Sequence, residues 1–262
     1  MGIFGFILVA IALILFFVKQ AQAKNHGSLL SARLTDIEEL QTTCQAITQE
    51  IGGGNWRDYV KLWGKISVDE PLISEMKQEP CVYYRMLVQR EYEEKVRSQD
   101  SEGKTIEKTV RKSETITQNQ GSTPFILEDK TGTITINSQG AKFDTIKILD
   151  EFRPEQPAGG MLQFGNFSFL MRSDSYNTHT LGYRYQEFIL PINREVLVLG
   201  NASDETGELR ITKPSNNEPF LVSLKTEEEL NSDYLKNQNA LKYSMIGCLF
   251  LGIILIIIDF IS

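Results

Sequence analysis

The sequence predicts an α+β chain in which a β-rich, antiparallel barrel-like or sandwich-like domain lies between two transmembrane helices. One observation is an uncharged apolar segment near each end, at residues 1–18 and 243–258. The other is a middle region in which short runs of alternating apolar and polar residues are separated by turn residues. One amphipathic helix is expected after the first membrane segment and one leading into the second. The 262 residues suffice for one large or two small domains.

The terminal segments, residues 1–18 and 243–261, are candidates for spanning helices. About 17–25 apolar residues cross the hydrocarbon core as a helix, and both segments lie at the short end of that window. Ala21-Gln22-Ala23 offers an alternative for the first segment, since it resembles the cleavage site of a secretory signal. No Lys or Arg precedes the apolar run, however. We therefore expect an uncleaved anchor and an integral, multi-pass membrane protein.

The charged residues that flank these segments predict an orientation. Lys19 and Lys24 follow the first segment, and Lys236 and Lys242 precede the second. By the positive-inside rule, the connecting domain lies in the cytoplasm if the membrane is a bacterial inner membrane. This domain carries all 27 basic residues and every acidic residue except Asp259, so it is net acidic. That charge balance argues against a nucleic-acid partner.

Residues 19–54 are interpreted as an amphipathic helix and its end. Apolar residues recur at steps of mostly three and four between Leu30 and Ile51, which predicts a helix over Ser28–Ile51. The glycines at 52–54 end it. A coiled coil with a partner helix is an alternative, but the pattern lasts only about three heptads, so packing against the chain's own domain is favoured.

Residues 55–225 are interpreted as the β-rich domain, because the apolar period changes to two. Residues Arg90–Lys112 predict a hairpin whose tip lies near Ser98–Gly103. One face is expected to carry Val60, Leu62, Ile66 and Val68 in the first strand, and Val82, Tyr84, Met86, Val88 and Tyr92 in the second, with Cys81, Tyr83, Arg85, Gln89 and Glu91 on the opposite face. Further strands are expected at Lys104–Thr117, Thr123–Glu128, Thr131–Asn137, Thr145–Leu149, Leu162–Arg172, Tyr183–Pro191, Glu195–Leu199, Glu208–Thr212 and Pro219–Leu224.

Residues 226–242 are interpreted as a juxtamembrane helix. Thr226 and Glu229 have the spacing of a capping box, and acidic residues at 227–229 favour the positive end of the helix dipole. The helical stripe continues into the second apolar segment. Asn237–Asn239 is the candidate position for a break.

The supply of metal ligands and nucleophiles limits the chemistry of the chain. Its three cysteines, Cys44, Cys81 and Cys248, and its two histidines, His26 and His179, are too scattered for a zinc site, so no metal or cofactor is expected. Catalysis by Cys81 with His179 as base is one alternative. Burial of Cys81 in a strand is favoured. The sequence Gly103-Lys104-Thr105 matches the end of a phosphate-binding loop, but Ser98 stands where the first glycine is required.

Five motifs then follow one another along the chain in a recognisable order. They are Glu79-Pro80-Cys81-Val82-Tyr83-Tyr84-Arg85; Thr123-Pro124-Phe125-Ile126-Leu127-Glu128-Asp129 with Gly132; Tyr183, Glu187 and Leu190-Pro191; Val198-Leu199-Gly200; and Pro219-Phe220 followed by Leu224 to Leu230. Between two membrane helices, this set resembles the GIDE/MULAN family of membrane E3 ubiquitin ligases, in the domain beside the membrane that is called BAM.

The resemblance implies that the second membrane helix is followed, in mitochondrial members, by a RING domain that binds zinc and recruits a ubiquitin-charged E2. This sequence ends at Ser262, so the resemblance implies a RING-less relative of bacterial type. It also implies that the motif around Cys81 is a strand, with no thioester role for the thiol.

The expected function is that of a membrane-anchored, non-catalytic scaffold or sensor with an unidentified protein partner. The alternative is an E3 ubiquitin transferase that acts with a RING or E2 supplied by another chain, so enzymatic activity is left open. Tyr83, Arg85, Tyr183 and Tyr185 are the candidate binding residues, because exposed aromatic and arginine side chains favour interfaces. Core packing is expected for at least two of them.

Overall fold

The computed structural model describes residues 2–99, 105–154, 161–164, 167–170 and 177–261. The expected hairpin tip and Gly103-Lys104 therefore lie largely outside the described residues. Within these ranges the elements are α1 (Gly2–Ser31), β1 (Arg33–Leu34), α2 (Ile37–Ile51), β2 (Arg57–Ser67), β3 (Leu72–Ile73), β4 (Pro80–Gln99), β5 (Thr105–Ser122), β6 (Phe125–Glu128), β7 (Thr133–Ile136), β8 (Lys142–Phe143), β9 (Ile146–Arg153), β10 (Met161–Phe164), β11 (Phe167–Leu170), β12 (Thr178–Pro191), β13 (Glu195–Ser203), β14 (Arg210–Thr212), β15 (Leu221–Ser223) and α3 (Glu227–Ile261).

Five strands close into a barrel in the order β2-β6-β7-β14-β13, and β13 returns to pair with β2. The β7–β14 pair is parallel and the other four pairs are antiparallel. Val60, Leu62 and Ile66 of β2 are almost completely buried in the barrel core, which confirms the face that their spacing predicted. Ile37 and Leu40 of α2 join the same core, so this helix packs on its own domain.

A second, antiparallel sheet is built around the long strands β4 and β12. β12 pairs with β4 on one side and with β9 on the other, while β3 and β5 pair with successive parts of the remaining edge of β4. One face of this sheet is covered, and its buried side chains are Met76, Met86, Val88, Leu149, Phe164, Tyr183 and Tyr185. We call the opposite face the open face. The β4–β5 pairing confirms the predicted hairpin.

α1 and α3 pack against each other as an antiparallel pair. The Gln238 side chain donates to the Lys19 carbonyl at 3.4 Å, and the His26 ring stacks on Tyr234 with 3.7 Å between ring centroids. Both helices are long and apolar enough to cross a membrane. Their registers place the amino end of α1 beside the carboxyl end of α3, at the end of the pair away from the barrel.

The other end of the helix pair is fixed to the outer wall of the barrel. Leu29 and Ala32, at the end of α1, are buried against Leu197 and Leu199 of β13, and Leu230 of α3 packs on the same cluster. Val196 and Val198, which alternate with Leu197 and Leu199 along β13, face the barrel core, so this strand is buried on both sides. The apolar contact therefore joins the helix pair and the barrel directly.

The structure corrects the predicted helix over Ser28–Ile51, which is two helices. α1 continues to Ser31, and α2 starts at Ile37 after Asp36, whose carboxylate accepts from the Glu39 amide at 2.8 Å. Asp129 accepts from the Ile37 amide at 2.9 Å, so the start of α2 is fixed by a residue distant in sequence. Gly52, with a φ of 87°, ends α2 as expected.

α3 is continuous through Asn237–Asn239, so the candidate break is wrong. The contact between Gln238 and α1 supports the helix at this level. The capping box at its start is confirmed, because the Thr226 amide donates to Glu229 at 2.9 Å and the Glu229 amide donates to the Thr226 hydroxyl at 3.3 Å.

Other differences concern short elements of the β domain. The two-residue strands β1, β3 and β8 were not predicted. The strand expected over Leu162–Arg172 is a hairpin of β10 and β11, and positions 165–166 and 171–172 lie outside the described residues.

Candidate functional site

The candidate site is the open face of the second sheet. Strand pairing sets Arg85 and Leu87 of β4 opposite Phe188 and Gln186 of β12. The same two β12 residues face Lys147 and Asp150 of β9. Because directly opposed residues of antiparallel strands lie on the same side of a sheet, these side chains share one surface.

Phe188 lies between two cations at the centre of this surface. The Arg85 guanidinium is 4.7 Å from the ring centroid of Phe188, and the Lys147 ammonium is 5.6 Å from it. Each such contact at an exposed site contributes roughly 0.5–1 kcal/mol. Lys147 is also paired with Asp150 at 2.7 Å, whereas Arg85 forms no ion pair among the described residues. The ring thus holds an exposed guanidinium whose N–H groups are free to bind a carboxylate or carbonyl.

Arg184 organises the other charges on the open face. Its guanidinium lies 2.9 Å from Glu91 and 3.0 Å from Asp150. Hydrogen bonds from Lys147, Arg184 and Gln186 hold the pKa of Asp150 well below its ordinary value. The same two acids raise the pKa of Arg184. Glu91 and Asp150 are therefore already compensated, whereas Arg85 forms no ion pair among the described residues.

The four candidate binding residues do not share one surface. Arg85 is exposed on the open face, and Tyr83 is half-buried beside it, stacked on Phe143 at 4.3 Å between ring centroids. Tyr183 and Tyr185 point to the covered face and are 3% and 1% exposed. Their burial agrees with the expectation that at least two of the four residues pack in a core. The binding role of Tyr83 and Arg85 stays a prediction.

The residues that sequence reasoning missed are Phe188, Lys147 and Leu87. A signal for Phe188 was present, because strict alternation in β12 sets Arg184, Gln186 and Phe188 on the face opposite Tyr183 and Tyr185. The alternation does not say which face is covered. That depends on β10, where the Phe164 ring centroid lies 4.8 Å from that of Tyr185.

Cys81 is a buried strand residue. It is 0% exposed, and its thiol donates weakly to the Leu72 carbonyl at 3.6 Å. Burial raises the pKa of the thiol to about 11, so it is protonated at neutral pH. Cys81 faces Pro191 in the β4–β12 register, whereas His179 faces Glu93, which places the two candidate catalytic groups roughly 40 Å apart. The structure thus contradicts a Cys81–His179 hydrolase.

The cysteine and histidine side chains that the structure describes lie far apart in the fold. Within the part of the chain that the structure describes, no three His, Cys, Asp or Glu side chains come together as a metal site. Cys44 lies in α2, Cys81 in β4 and Cys248 in α3. These sulfurs are in three different elements and do not converge on one point.

Two acidic residues in the sequence motifs have structural roles. Glu187 is completely buried and accepts from the Met76 amide at 2.7 Å, the Lys77 amide at 2.8 Å and the Ser74 hydroxyl at 3.2 Å. It therefore fixes the turn between β3 and β4. Asp129 plays the corresponding part at the start of α2.

Comparisons with known proteins agree with this architecture. The profile of the family described as "GIDE: E3 Ubiquitin ligase" matches residues 93–257. E3 ubiquitin-protein ligase SP1 of Arabidopsis thaliana is 30% identical over 135 residues, which are 51% of this chain and 37% of the relative. E3 ubiquitin-protein ligase SPL1 of the same plant is 31% identical over 136 residues, or 51% and 38% of the two chains. No solved structure matches the chain.

Two facts bound what these comparisons say. The matched part of the chain spans well under half the length of either plant relative. Both relatives are plant proteins, which gives no support to the expected bacterial origin. The family profile nevertheless covers more than half of this chain, from the last residues of β4 to most of α3. The chain therefore belongs to the GIDE family of E3 ubiquitin ligases.

Proposed function

We propose that this chain is a membrane-anchored, non-catalytic recognition module of the GIDE family, a scaffold or sensor that binds a protein on the open face of its second sheet. The observation that carries the proposal is the exposed Arg85 guanidinium held over Phe188 without an ion-pair partner among the described residues. Arginine and aromatic side chains contribute more to binding than most surface residues. Tyr83 and Leu87 border the pair and supply further contact area.

In this proposal both α1 and α3 cross the bilayer and the β domain lies on the cytoplasmic side. The apolar parts of the two helices are residues 3–18 and 243–260, and their polar parts, residues 19–31 and 227–242, continue to the barrel. At 1.5 Å per residue the polar parts are about 20 Å long. The domain would stand off the membrane by up to this distance, high enough to reach a soluble partner.

The attachment of the helices to the barrel supports a scaffold that holds its partner at a set position. Leu29 and Leu230 pack on the barrel wall, and Lys61 of β2 pairs with Glu227 at the start of α3 at 2.7 Å. Such contacts restrict hinge motion between the anchor and the domain, since moving them apart would expose apolar surface and separate a largely buried ion pair.

The test is site-specific photocrosslinking with the full chain in its native membrane. A benzophenone side chain at exposed Gln118, which faces Leu87 across the strand pair, reports on the open face. We expect it to capture a protein whose yield falls strongly with Arg85→Ala. Arg57→Ala, which removes an exposed arginine on the barrel, is the matched control and should leave the yield unchanged. Equal capture by the two variants contradicts the proposal.

The two plant relatives are E3 ubiquitin-protein ligases, which favours a second candidate function, E3 ubiquitin transfer with a RING or an E2 supplied by another chain. In this case the captured protein is a RING or E2-like protein, and ubiquitin transfer by the purified chain requires its addition. Transfer by the purified chain with E1 and E2 alone contradicts the non-catalytic module and supports this second candidate. No transfer even after addition of an E2 and a RING protein contradicts the second candidate.

A further inference from the structure

β5 is an unusually long edge strand. It spans Thr105–Ser122, whereas an average strand has about five or six residues. Among the described residues it pairs with β4 only, so one side of its backbone faces no other strand. Unpaired N–H and C=O groups in such a row form a template for a further strand.

The outer part of the β4–β5 hairpin has little support of its own. β12 starts at Thr178, opposite Glu94, and the Lys95 amide donates to the Asn177 carbonyl at 3.2 Å. The ribbon formed by residues 96–99 and 105–108 therefore has no third strand within the described ranges. Two-stranded ribbons are marginally stable in water. Val96 and Val110 lie on one face of this region, and Val110 is 40% exposed. A third strand would supply both hydrogen bonds and apolar contacts here.

The charges along the edge indicate which strand fits. Lys108, Arg111 and Lys112 lie within five residues of β5. Lys112 is paired with Glu94, but Lys108 forms no ion pair among the described residues.

Arg111 is also incompletely compensated. It lies 3.7 Å from Glu91, a carboxylate that Arg184 already holds at 2.9 Å. The edge thus retains positive charge on both faces of the sheet.

Lysines on an edge normally discourage pairing with neutral or basic strands. The same charges favour an acidic strand, because opposite charges directly across a strand pair are attractive. A second copy of this chain is less suitable. In an antiparallel pair of two β5 strands, a register centred on Arg111 or Lys112 would place that residue opposite its own copy, so that like charges face each other. A register centred on Val110 would place Lys108 opposite Lys112.

We propose that the free edge of β5 binds an extended acidic segment of a partner protein by strand addition, with carboxylates opposite Lys108 and Arg111. The inference rests on the proposed function, because it specifies how a recognition module engages its partner. The β5 edge is a different surface from the one around Arg85, so an experiment can contradict either proposal without contradicting the other.

The experiment measures binding of fluorescent ten-residue peptides to the full chain in neutral nanodiscs. The acidic probe is a polythreonine peptide with Glu at its fourth and seventh positions, which reproduces the three-residue spacing of Lys108 and Arg111. The basic probe has Lys in place of both Glu, and the third probe is the acidic peptide with alternate amides N-methylated. We expect binding of the acidic probe only, because N-methylation removes the donors that strand addition requires. Equal binding of the methylated peptide, or no binding of the acidic one, overturns the proposal.

Substitutions on β5 test whether the acidic peptide binds at the edge of this strand. Lys108→Glu with Arg111→Glu should weaken the acidic probe at least about tenfold, since two attractive cross-strand pairs become repulsive. Lys130→Glu with Lys213→Glu reverses two exposed lysines on the barrel and should leave affinity unchanged. Equal weakening by both pairs overturns the proposal.

Two further measurements test whether the β5 edge binds a lipid surface or a second copy of this chain instead. Binding to anionic vesicles that is lost with Lys108→Glu and Arg111→Glu, without peptide binding, would assign the edge to lipid and overturn the proposal. A doubled particle mass that these substitutions reduce would assign it to a second copy, with the same consequence. Arg85→Ala should not affect the peptide, so a failed capture at the open face leaves this result interpretable.

Discussion

The Lys61 ammonium lies 2.7 Å from the Glu227 carboxylate, and this pair joins the barrel wall to the first residue of α3. The Lys61 side chain is 6% exposed and the Glu227 side chain 30%. Because the Lys61 ammonium is buried, removal of the Glu227 carboxylate would leave a buried charge without its partner. Removal of Lys61 would leave a carboxylate that is still in contact with water. Glu227 also occupies the positive end of the helix dipole.

Glu227→Gln is therefore expected to destabilise the folded chain by roughly 1–3 kcal/mol, because the Lys61 ammonium loses its charged acceptor. Lys61→Met removes the buried charge and keeps most of the apolar stem, so its cost should be smaller. Denaturant unfolding in detergent micelles, followed by circular dichroism, measures both. A larger loss for Lys61→Met than for Glu227→Gln would contradict the assignment of the buried charge.

Glu187→Gln should loosen the turn between β3 and β4. Its carboxylate accepts three hydrogen bonds, and an amide NH₂ in its place would face donors and leave one of them unsatisfied, at about 1–3 kcal/mol. Trypsin cleavage after Lys77, which lies in this turn, should become faster. Glu195→Gln, at an exposed position, is the control and should change neither stability nor cleavage.

The sequence predicts best the structural elements that are stabilised by residues close to one another along the chain. The capping box of Thr226 and Glu229 and the two-residue alternation of β2 are of this kind, and both agree with the structure. The break between α1 and α2 is different. The apolar stripe runs through it, and the start of α2 depends on Asp129, which is distant along the chain.

The candidate site was predictable only in part for a related reason. Successive residues of a strand point to opposite faces, so the sequence places Tyr83 and Arg85 on one face of β4 and places Tyr183 and Phe188 on opposite faces of β12. This alternation does not predict which face of the sheet is covered. The covering hairpin that contains Phe164 decides this, and its contact with Tyr185 is tertiary. The Phe188–Lys147 contact likewise depends on the register of β12 with β9.

Cys81 should resist alkylation in the folded chain. Its pKa of about 11, raised by burial, leaves about one thiolate in a thousand at pH 8, and the side chain is not accessible. Maleimide labelling at pH 8 with mass-spectrometric mapping should modify an introduced Ser113→Cys rapidly and Cys81 only after unfolding. Rapid labelling of native Cys81 would contradict its burial.

The same thiol gives the folding stability a dependence on alkaline pH. In the unfolded chain the thiol ionises near its ordinary pKa of 9.0, whereas the folded chain retains the proton until about pH 11. The unfolded state therefore binds fewer protons above pH 9, and stability should fall between pH 9 and 11. Cys81→Ala should reduce the slope in this range. Half-buried Tyr59, whose pKa is raised by desolvation and by Glu218, contributes in the same direction at higher pH. An unchanged slope in the variant contradicts the prediction.

The packing of α1 on α3 should depend on glycine at two positions and not at a third. A Cβ atom at Gly5 would lie 2.6 Å from the Ile256 side chain and 2.8 Å from the Gly252 carbonyl, and a Cβ at Gly252 would lie 2.9 Å from the Gly5 carbonyl. These distances are well below the 3.5–4.0 Å of favourable contacts, so a side chain forces the helices apart. A Cβ at Gly247 meets nothing within 4 Å.

Gly5→Leu and Gly252→Leu are therefore expected to separate the pair, while Gly247→Leu leaves it unchanged. Spin labels at Leu13 and Tyr243, exposed positions at nearly the same level of the pair, report the separation by pulsed electron paramagnetic resonance. The first two variants should lengthen and broaden the distance distribution. Because a side chain at Gly247 meets no other part of the helix pair, the Gly247 variant controls for added volume. Equal broadening in all three variants would contradict a specific contact at Gly5 and Gly252 and attribute the effect to side-chain size alone.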